Sequence, residues 1–543
     1  MASTPKGSNG QNLFKRKRWI ANALALALVI MLILGLAGTV EAVLHVLKVS
    51  GSMVAGGDVS QFALSPNGKY AVFIADARVN TIPELFSVPA WGGARIALSP
   101  PLAEGWAVLD FAISPNSQSV VYWTGLVADS RATNLYVVPI NGSAAAQLLV
   151  TSPATYWLTD MAVSSNSLWV VYLLNRAEGF PAIQQTLFSA PLAGGSPVQL
   201  SEAFCGTICT YIFKITPDGT KVIYRFNPPV GPITLWRVDM AGTSAENLDE
   251  DIRDFDITPD GDYVVYEKSF NGLDNDLYAI PSGGGTAIKL NGALIAGKSV
   301  LDFKISPNSQ VVVYRADELV DGRDELFSVP VVGPATSRKV LVPAWANANG
   351  DVAQYQILPN NLGVVYTADE YQDEKFELMG VTMDGLHEYV YSGFSNPFSN
   401  VTSFAVAPNS LGVVFIQDAS VDEKFELYAS AIDASTTALK LSPSLAADRD
   451  VLDFLITPNS AGVVYRADPV TDEYYNLYLV PSTGGTSVRL NDALPVGGDV
   501  SGQYAVTSDS QGVVYLADQV SDGVDELFSV FDRKMIFLPV VVK

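Results

Sequence analysis

Phe303-Lys304-Ile305-Ser306-Pro307-Asn308-Ser309-Gln310-Val311-Val312-Val313-Tyr314 is the stretch that decides the fold. Phe303 and Ile305 alternate with polar residues, the pattern of a half-buried strand. Ser306 to Ser309 reads as a turn, because Pro fixes φ and Asn tolerates left-handed geometry. Val312-Val313-Tyr314 is β-branched and aromatic, so the chain returns as a second strand. An acidic loop, Asp317 to Glu325, leads to a third strand, Leu326-Phe327-Ser328-Val329, closed by Pro330. A fourth, looser strand is expected near Lys339-Val340-Leu341.

The stretch recurs ten times, starting at Phe62, Phe111, Met161, Phe213, Phe255, Phe303, Tyr355, Phe404, Phe454 and Tyr504. Most spacings are close to 50 residues; the shortest, 42, runs from Phe213 to Phe255 and marks the repeat expected to be irregular. The second strand ends alike at Tyr122, Tyr172, Tyr266, Tyr366, Phe415, Tyr465 and Tyr515. The third recurs as Leu85-Phe86, Leu135-Tyr136, Leu235-Trp236, Leu277-Tyr278, Leu427-Tyr428, Leu477-Tyr478 and Leu527-Phe528. A fixed period of this length signals a repeat architecture. Four antiparallel strands per repeat make one propeller blade. The fold class is therefore all-β, a β-propeller of four-stranded antiparallel blades with ten repeats, preceded by an N-terminal signal or anchor helix. One ring of ten blades is expected, with two five-bladed propellers as the alternative.

Phe213-Lys214-Ile215-Thr216-Pro217-Asp218-Gly219 and Phe255-Asp256-Ile257-Thr258-Pro259-Asp260-Gly261 carry a family resemblance. With the Val-x-Tyr and Leu-Tyr strands that follow, the grammar resembles the TolB-like propeller repeat, a relative of the WD-repeat propellers, over residues 62 to about 535. The resemblance implies the fold. It rests on core and turn residues, so it implies no activity. TolB carries a separate N-terminal domain that has no counterpart in this reading, so its role in envelope complexes does not carry over.

At the start, Lys15-Arg16-Lys17-Arg18 precedes an apolar run, Trp19 to Gly38, and then Thr39-Val40-Glu41-Ala42. The order is basic region, apolar region and cleavage site. Residues 1–42 are read as a signal peptide or a signal anchor, because about 20 apolar residues also span a bilayer. Either way the rest is exported: extracellular, on the cell surface or periplasmic. The membrane is touched only through the N-terminal helix if it is uncleaved. Residues 43–535 are assigned to the propeller and 536–543 to a C-terminal strand or tail. Lys48 to Phe62 resembles Arg489 to Tyr504, a fourth strand plus inter-blade loop. The strand around Val46-Leu47-Lys48-Val49 is thus expected as the outer strand of the last blade, in competition with Met535 to Val542.

The chain has 33 Lys+Arg against 56 Asp+Glu, a net charge of −23. No nucleic-acid partner is expected, since that needs a basic footprint. Hydrophobic residues make up 48%, which excludes a disordered acidic tail. Cys205 and Cys209 are expected to form a local disulfide in an oxidising compartment. The two histidines, His45 and His387, lie in different repeats, so no histidine-rich metal cluster is expected. No Gly-x-Ser-x-Gly elbow is present. Some relatives of this propeller class are lyases with a histidine-bound metal, chemistry this histidine count does not supply. A non-enzymatic binding or scaffold module is expected. The alternatives are a carboxylate-based carbohydrate-active enzyme and a self-assembling cell-surface structural protein.

The best functional lead is acidic. After the second strand, aspartates recur in pairs four residues apart: Asp317 with Asp321, Asp369 with Asp373, Asp418 with Asp422, Asp468 with Asp472, and Asp518 with Asp522. Asp76 stands alone at the same place. Further acids precede the third strand at Glu84, Glu325, Glu377, Glu426 and Glu526, and Asp110, Asp160, Asp254, Asp302 and Asp453 sit before the first strand. Loops joining strands two and three share one face of a propeller with the inter-blade loops. These acids would therefore form an acidic face for a protein or polysaccharide partner, or for a cation. Hard oxygen ligands at short spacing suit Ca²⁺, the one cofactor the sequence leaves open. The plain alternative is a solvated loop whose Asp residues cap turns.

Overall fold

The decisive stretch folds as strand, turn and strand. In a computed structural model, residues Val300–Ile305, Val311–Ala316, Glu325–Pro330 and Lys339–Val340 pair antiparallel in that order. The described residues are 44–177, 183–201, 210–269, 274–342, 350–372, 374–392, 399–421, 423–446, 448–471 and 473–532. Residues 1–42, Cys205, Cys209 and 535–543 lie outside them, and with them the signal, disulfide and tail readings. Val46–Phe531 form one compact unit. Among the described residues there are eight four-stranded antiparallel sheets and one eight-stranded sheet. The sole helical element among them is the 3-10 turn Ala335–Ser337. The architecture is all-β and propeller-like.

The Ser-Pro-Asn turn is built by its side chains. Ser306 Oγ donates to Asn308 Oδ1 at 2.8 Å and accepts the Val311 N–H at 2.9 Å. Asn308 Oδ1 also accepts the Gln310 N–H. Thr258 with Asp260 and Thr457 with Asn459 do the same, which is why the sequence alternates Ser/Thr and Asn/Asp there. The next residue is left-handed, with φ of 58–62° at Ser117, Ser167, Ser309, Ser410, Ser460 and Ser510. Its side chain accepts an N–H from the preceding repeat: Asn67 to Ser117, Asn116 to Ser167, Asp260 to Ser309, Asn360 to Ser410, Asn409 to Ser460 and Asn459 to Ser510, at 2.9–3.1 Å. Asn361 serves Asn308 in the same way. Gly68, Gly219 and Gly261 hold this slot in repeats one, four and five.

These hydroxyls stitch neighbouring repeats together. Ser460→Ala is expected to cost about 0.5–1.5 kcal/mol, the worth of one hydrogen bond. Ser460→Gly loses the same bond but relieves the left-handed strain, so it should cost less. Equilibrium denaturation of the two variants checks this ranking.

The second and third strands are apolar on both faces because each sheet is packed between two others. Val312, Tyr314 and Phe327 lie in one core with Val265 and Leu277 of repeat five. Val313 and Leu326 face the other way, into a core with Tyr355, Val364 and Tyr366 of repeat seven. Tyr314 and Phe327 stand directly opposite across the strands, ring centroids 5.2 Å apart, and are fully buried. Aromatic pairs of this kind add to area burial. The first and last repeats obey the same rule: Val59, Phe73 and Phe86 share a core with Val514, Leu516 and Leu527.

The first strand, Leu44–Lys48, lies beside Glu526–Asp532 in the sheet of repeat ten. The N–H groups of Val49 and Ser50 both donate to Leu527 O, at 2.8 and 3.2 Å. The N-terminal strand therefore takes the outer place expected for it.

Irregularity falls elsewhere than expected. Repeat four has an ordinary four-stranded sheet, Thr210–Ile215, Lys221–Asn227, Thr234–Asp239 and Glu246–Glu250. Its missing residues come from the connection, where Asp251 alone separates Glu250 from the next strand, Ile252–Ile257. Repeats two and three instead share the eight-stranded sheet, through pairing of Leu158 with Ala132. They lack the Asp loop after the second strand, so Ser119–Leu126 and Arg131–Pro139 run on as a long hairpin. Gly125 is required there, since a Cβ would meet Arg131 O at 2.0 Å.

Candidate functional site: an acidic loop face

In repeat nine, Asp468 Oδ1 accepts the Asp450 N–H at 2.7 Å and Oδ2 the Glu473 N–H at 3.2 Å. The first bond ties the loop to the inter-repeat connection, and the second closes the loop on itself. Asp369 binds Asp351 and Glu374, Asp418 binds Asn400 and Glu423, Asp518 binds Asp499 and Gly523, and Asp76 binds Asp58 and Thr81 in the same way. The connecting residue then accepts an N–H from the preceding repeat: Asp324 to Asp351, Phe376 to Asn400, Phe425 to Asp450, Tyr475 to Asp499 and Asp525 to Asp58, at 2.6–3.2 Å. Asp317 keeps the loop bond, from Gly322 at 2.8 Å. Ser299 replaces the connecting acid there, and Lys298 bridges Asp317 and Asp321 at 2.9 and 2.8 Å.

Asp317, Asp369, Asp418, Asp468 and Asp518 are thus buried and spend oxygens on backbone donors. Asp321 and Asp522 are exposed, while Asp373, Asp422 and Asp472 lie outside the described residues. Among the described residues, no group of three or more His, Cys, Asp or Glu is arranged to hold a metal ion.

The loops carry a backbone anomaly. The residue whose N–H closes each loop has positive φ: Gly322 and Gly523 in repeats six and ten, but Thr81, at 73°, in repeat one and Glu374, Glu423 and Glu473, at 60, 58 and 53°, in repeats seven to nine. Glycine is the low-cost residue for that conformation. All three glutamates are exposed, and so are Val79, Leu319, Tyr371, Val421, Val470 and Val520 in the same set of loops.

The acids before the first strand are placed differently from expectation. Asp110, Asp160, Asp254, Asp302 and Asp453 belong to the strands Trp106–Ile113, Tyr156–Val163, Ile252–Ile257, Val300–Ile305 and Val451–Ile456, not to loops. Each sits at or beside a register shift, which turns a side chain out of the regular alternation. Two of them are clamped alike. Arg315 binds Asp302 through Nε and Nη2 and reaches Val352 O at 2.7 Å. Arg466 binds Asp453 and Val500 O, and Tyr504 donates to Asp453 at 2.7 Å. Repeat five has Glu267 in the arginine slot. Burial, together with Asp254 and Asp302, raises it to about 7 against the pull of Arg253. Asp302, one of the acids acting on Glu267, lines a cavity of about 370 Å³ with Lys304, Gln354, Tyr355, Gln356 and Phe404.

No protein-family model matches the chain, and a search of curated proteins finds no match. Solved structures similar to it include an oligogalacturonate lyase in complex with manganese, 13% identical, covering 62% of this chain and 90% of that one, TM-score 0.35. A eukaryotic initiation factor is 11% identical over 75% and 93%, TM-score 0.47. A putative TolB from Agrobacterium tumefaciens is 17% identical over 45% and 83%, TM-score 0.27. Manganese and lyase activity belong to the first of these.

The glutamates that open the third strand, expected on the rim, are interior. Glu84, Glu325, Glu377, Glu426 and Glu526 are each at least 96% buried. Their position faces the stack of sheets, so each needs its own partner. Arg78 grips Glu84 with two bonds of 2.5 and 2.6 Å. Leu319 N–H serves Glu325 at 2.7 Å, Lys440 and Ser420 serve Glu426, and Lys48 serves Glu526. Burial alone would raise Glu426, but the hydrogen bonds from Lys440 and Ser420 bring it below the ordinary glutamate value. Sequence spacing revealed the row of acids. It gave no sign of their depth, because a Glu before Leu-Phe reads equally as loop or as strand.

Proposed function

We propose that the chain is an exported, non-enzymatic ten-bladed propeller that binds a basic protein or polymer partner on its acidic loop face. The export signal is the one read at residues 1–42. A single closed ring over residues 43–535 is supported by the continuity of the cores, repeat five packing on six and ten on one. The observation that carries the binding role is the three glutamates held at positive φ. Each costs about 1–2 kcal/mol relative to an unstrained residue, and repeats six and ten show that glycine serves the loop equally. Strain kept at such positions points to a role for the side chain. The neighbouring exposed aliphatic residues suit a partner that is both cationic and apolar.

The test is Glu374→Gly, Glu423→Gly and Glu473→Gly combined. A lysine-rich peptide, measured by calorimetry at low salt, should bind the parent and lose at least tenfold in affinity to the triple variant. The variant's melting temperature should hold or rise. Equal binding by both proteins would end this reading. Ca²⁺ is the second ligand proposed for the face; Asp522 offers an exposed carboxylate, whereas Asp321 is already paired with Lys298.

A carboxylate-based carbohydrate-active enzyme is the second reading. The cavity lined by Asp302, a carboxylate that acts on the buried Glu267, favours it.

A further inference from the structure

Repeats six and seven differ at one buried carboxyl. In repeat six, Glu318 has a wholly buried side chain and is fully served. Its Oε1 accepts Tyr314 OH at 2.9 Å and Gly292 N–H at 2.8 Å, and Oε2 accepts Arg338 Nε at 2.6 Å. Repeat seven has Glu370 in the same place, one residue after Asp369. Its third and fourth strands pair Met379 with Val390 and Gly380 with Tyr389, matching Phe327 with Val340 and Ser328 with Lys339. The residue one step earlier is Arg338 in repeat six and Glu388 in repeat seven. A guanidinium has been replaced by another carboxyl.

The consequences are visible in the hydrogen bonds. Tyr366, the counterpart of Tyr314, gives its hydroxyl to Glu388 instead. Glu370 Oε2 and both carboxyl oxygens of Glu377 are buried with no hydrogen-bond partner. Glu370 and Glu377 are 97 and 98% buried. An ionised carboxylate cannot be left so, since burying a charge without donors costs several kcal/mol, and the group takes up a proton instead.

We propose that Glu370 and Glu377, beside Glu388, form a proton-binding site, which holds its protons in the folded chain in acid and loses them, with stability, as the solution turns alkaline. The groups acting on it are Tyr366 and Tyr371, the carboxylates Asp369 and Glu388, and one cation, Lys375. Burial, then Glu388 and Glu377, lift Glu370 to about 8. Burial, aided by Asp369, lifts Glu377 to about 7 against Lys375 and the N–H groups of Glu377 and Tyr371, which lie near its carboxyl but outside hydrogen-bond geometry. Both folded-state values lie above the ordinary value of 4.5. Their contribution is therefore complete below pH 4.5 and lost as pH rises through 7 to 8. The proposal stands apart from the binding role of the loop face.

The experiment compares thermal melts of the full chain and of Glu370→Gln/Glu377→Gln from pH 4 to 9. Glutamine mimics the protonated carboxyl. The two proteins should melt together at pH 4, below the ordinary value of 4.5, and the parent should fall progressively below the variant, by several degrees at pH 9. Glu267 and the other buried acids act in both and cancel. A difference independent of pH overturns the proposal. Should the double variant fail to fold, Glu388→Arg restores the guanidinium of repeat six. It should raise the melting temperature more at pH 9 than at pH 5.5, and equal shifts at both would overturn the proposal.

Discussion

Deleting residues 44–50 is expected to destabilise the protein by at least about 3–5 kcal/mol, the cost of orphaning one buried carboxylate. Glu526 has a side chain only 5% exposed and loses Lys48 in this deletion. Val49, 2% exposed, leaves the core shared by repeats one and ten. Leu527 loses both N–H donors, so the last sheet is left with an open edge. Chemical denaturation of the exported part with and without the strand measures the effect. An unchanged midpoint would mean that the strand is ornamental.

Arg338→Ala should cost a similar amount, about 3–5 kcal/mol, by stranding Glu318. Tyr314 and Gly292 would still donate to one oxygen, but the other would have no cation. Arg338→Met combined with Glu318→Gln should recover most of the loss, because replacing both members of a buried pair leaves no charge unpaired. A double-mutant cycle in urea reads the coupling directly. Simple additivity of the two single changes would show that the pair is not coupled.

The strands were legible because their signals are local. Ser306-Pro307-Asn308 makes its own turn through Ser306 Oγ and Asn308 Oδ1, and Val312-Val313-Tyr314 is apolar on both faces because it packs on both neighbours. The closing strand was legible by internal likeness, since Lys48 to Phe62 repeats Arg489 to Tyr504. Depth was not legible. Asp468 and Asp472 look like a ligand pair on paper, yet Asp468 is buried and serves two backbone N–H groups. Glu377 and Glu426 look alike on paper, but Lys440, fourteen residues on, bonds only the second. Partners set by register across strands are invisible until the register is known. The merging of repeats two and three was missed for the same reason, since it depends on one cross-strand contact, Leu158 with Ala132.

We propose a single ring of ten blades, closed by the N-terminal strand. A crystal structure of the exported part tests it most directly. Ten blades should stand about one axis, those of repeats two and three joined through Leu158 and Ala132, with residues 46–48 as the outer strand of the tenth. Two separate five-bladed axes, or residues 46–48 lying away from Leu527, would contradict it.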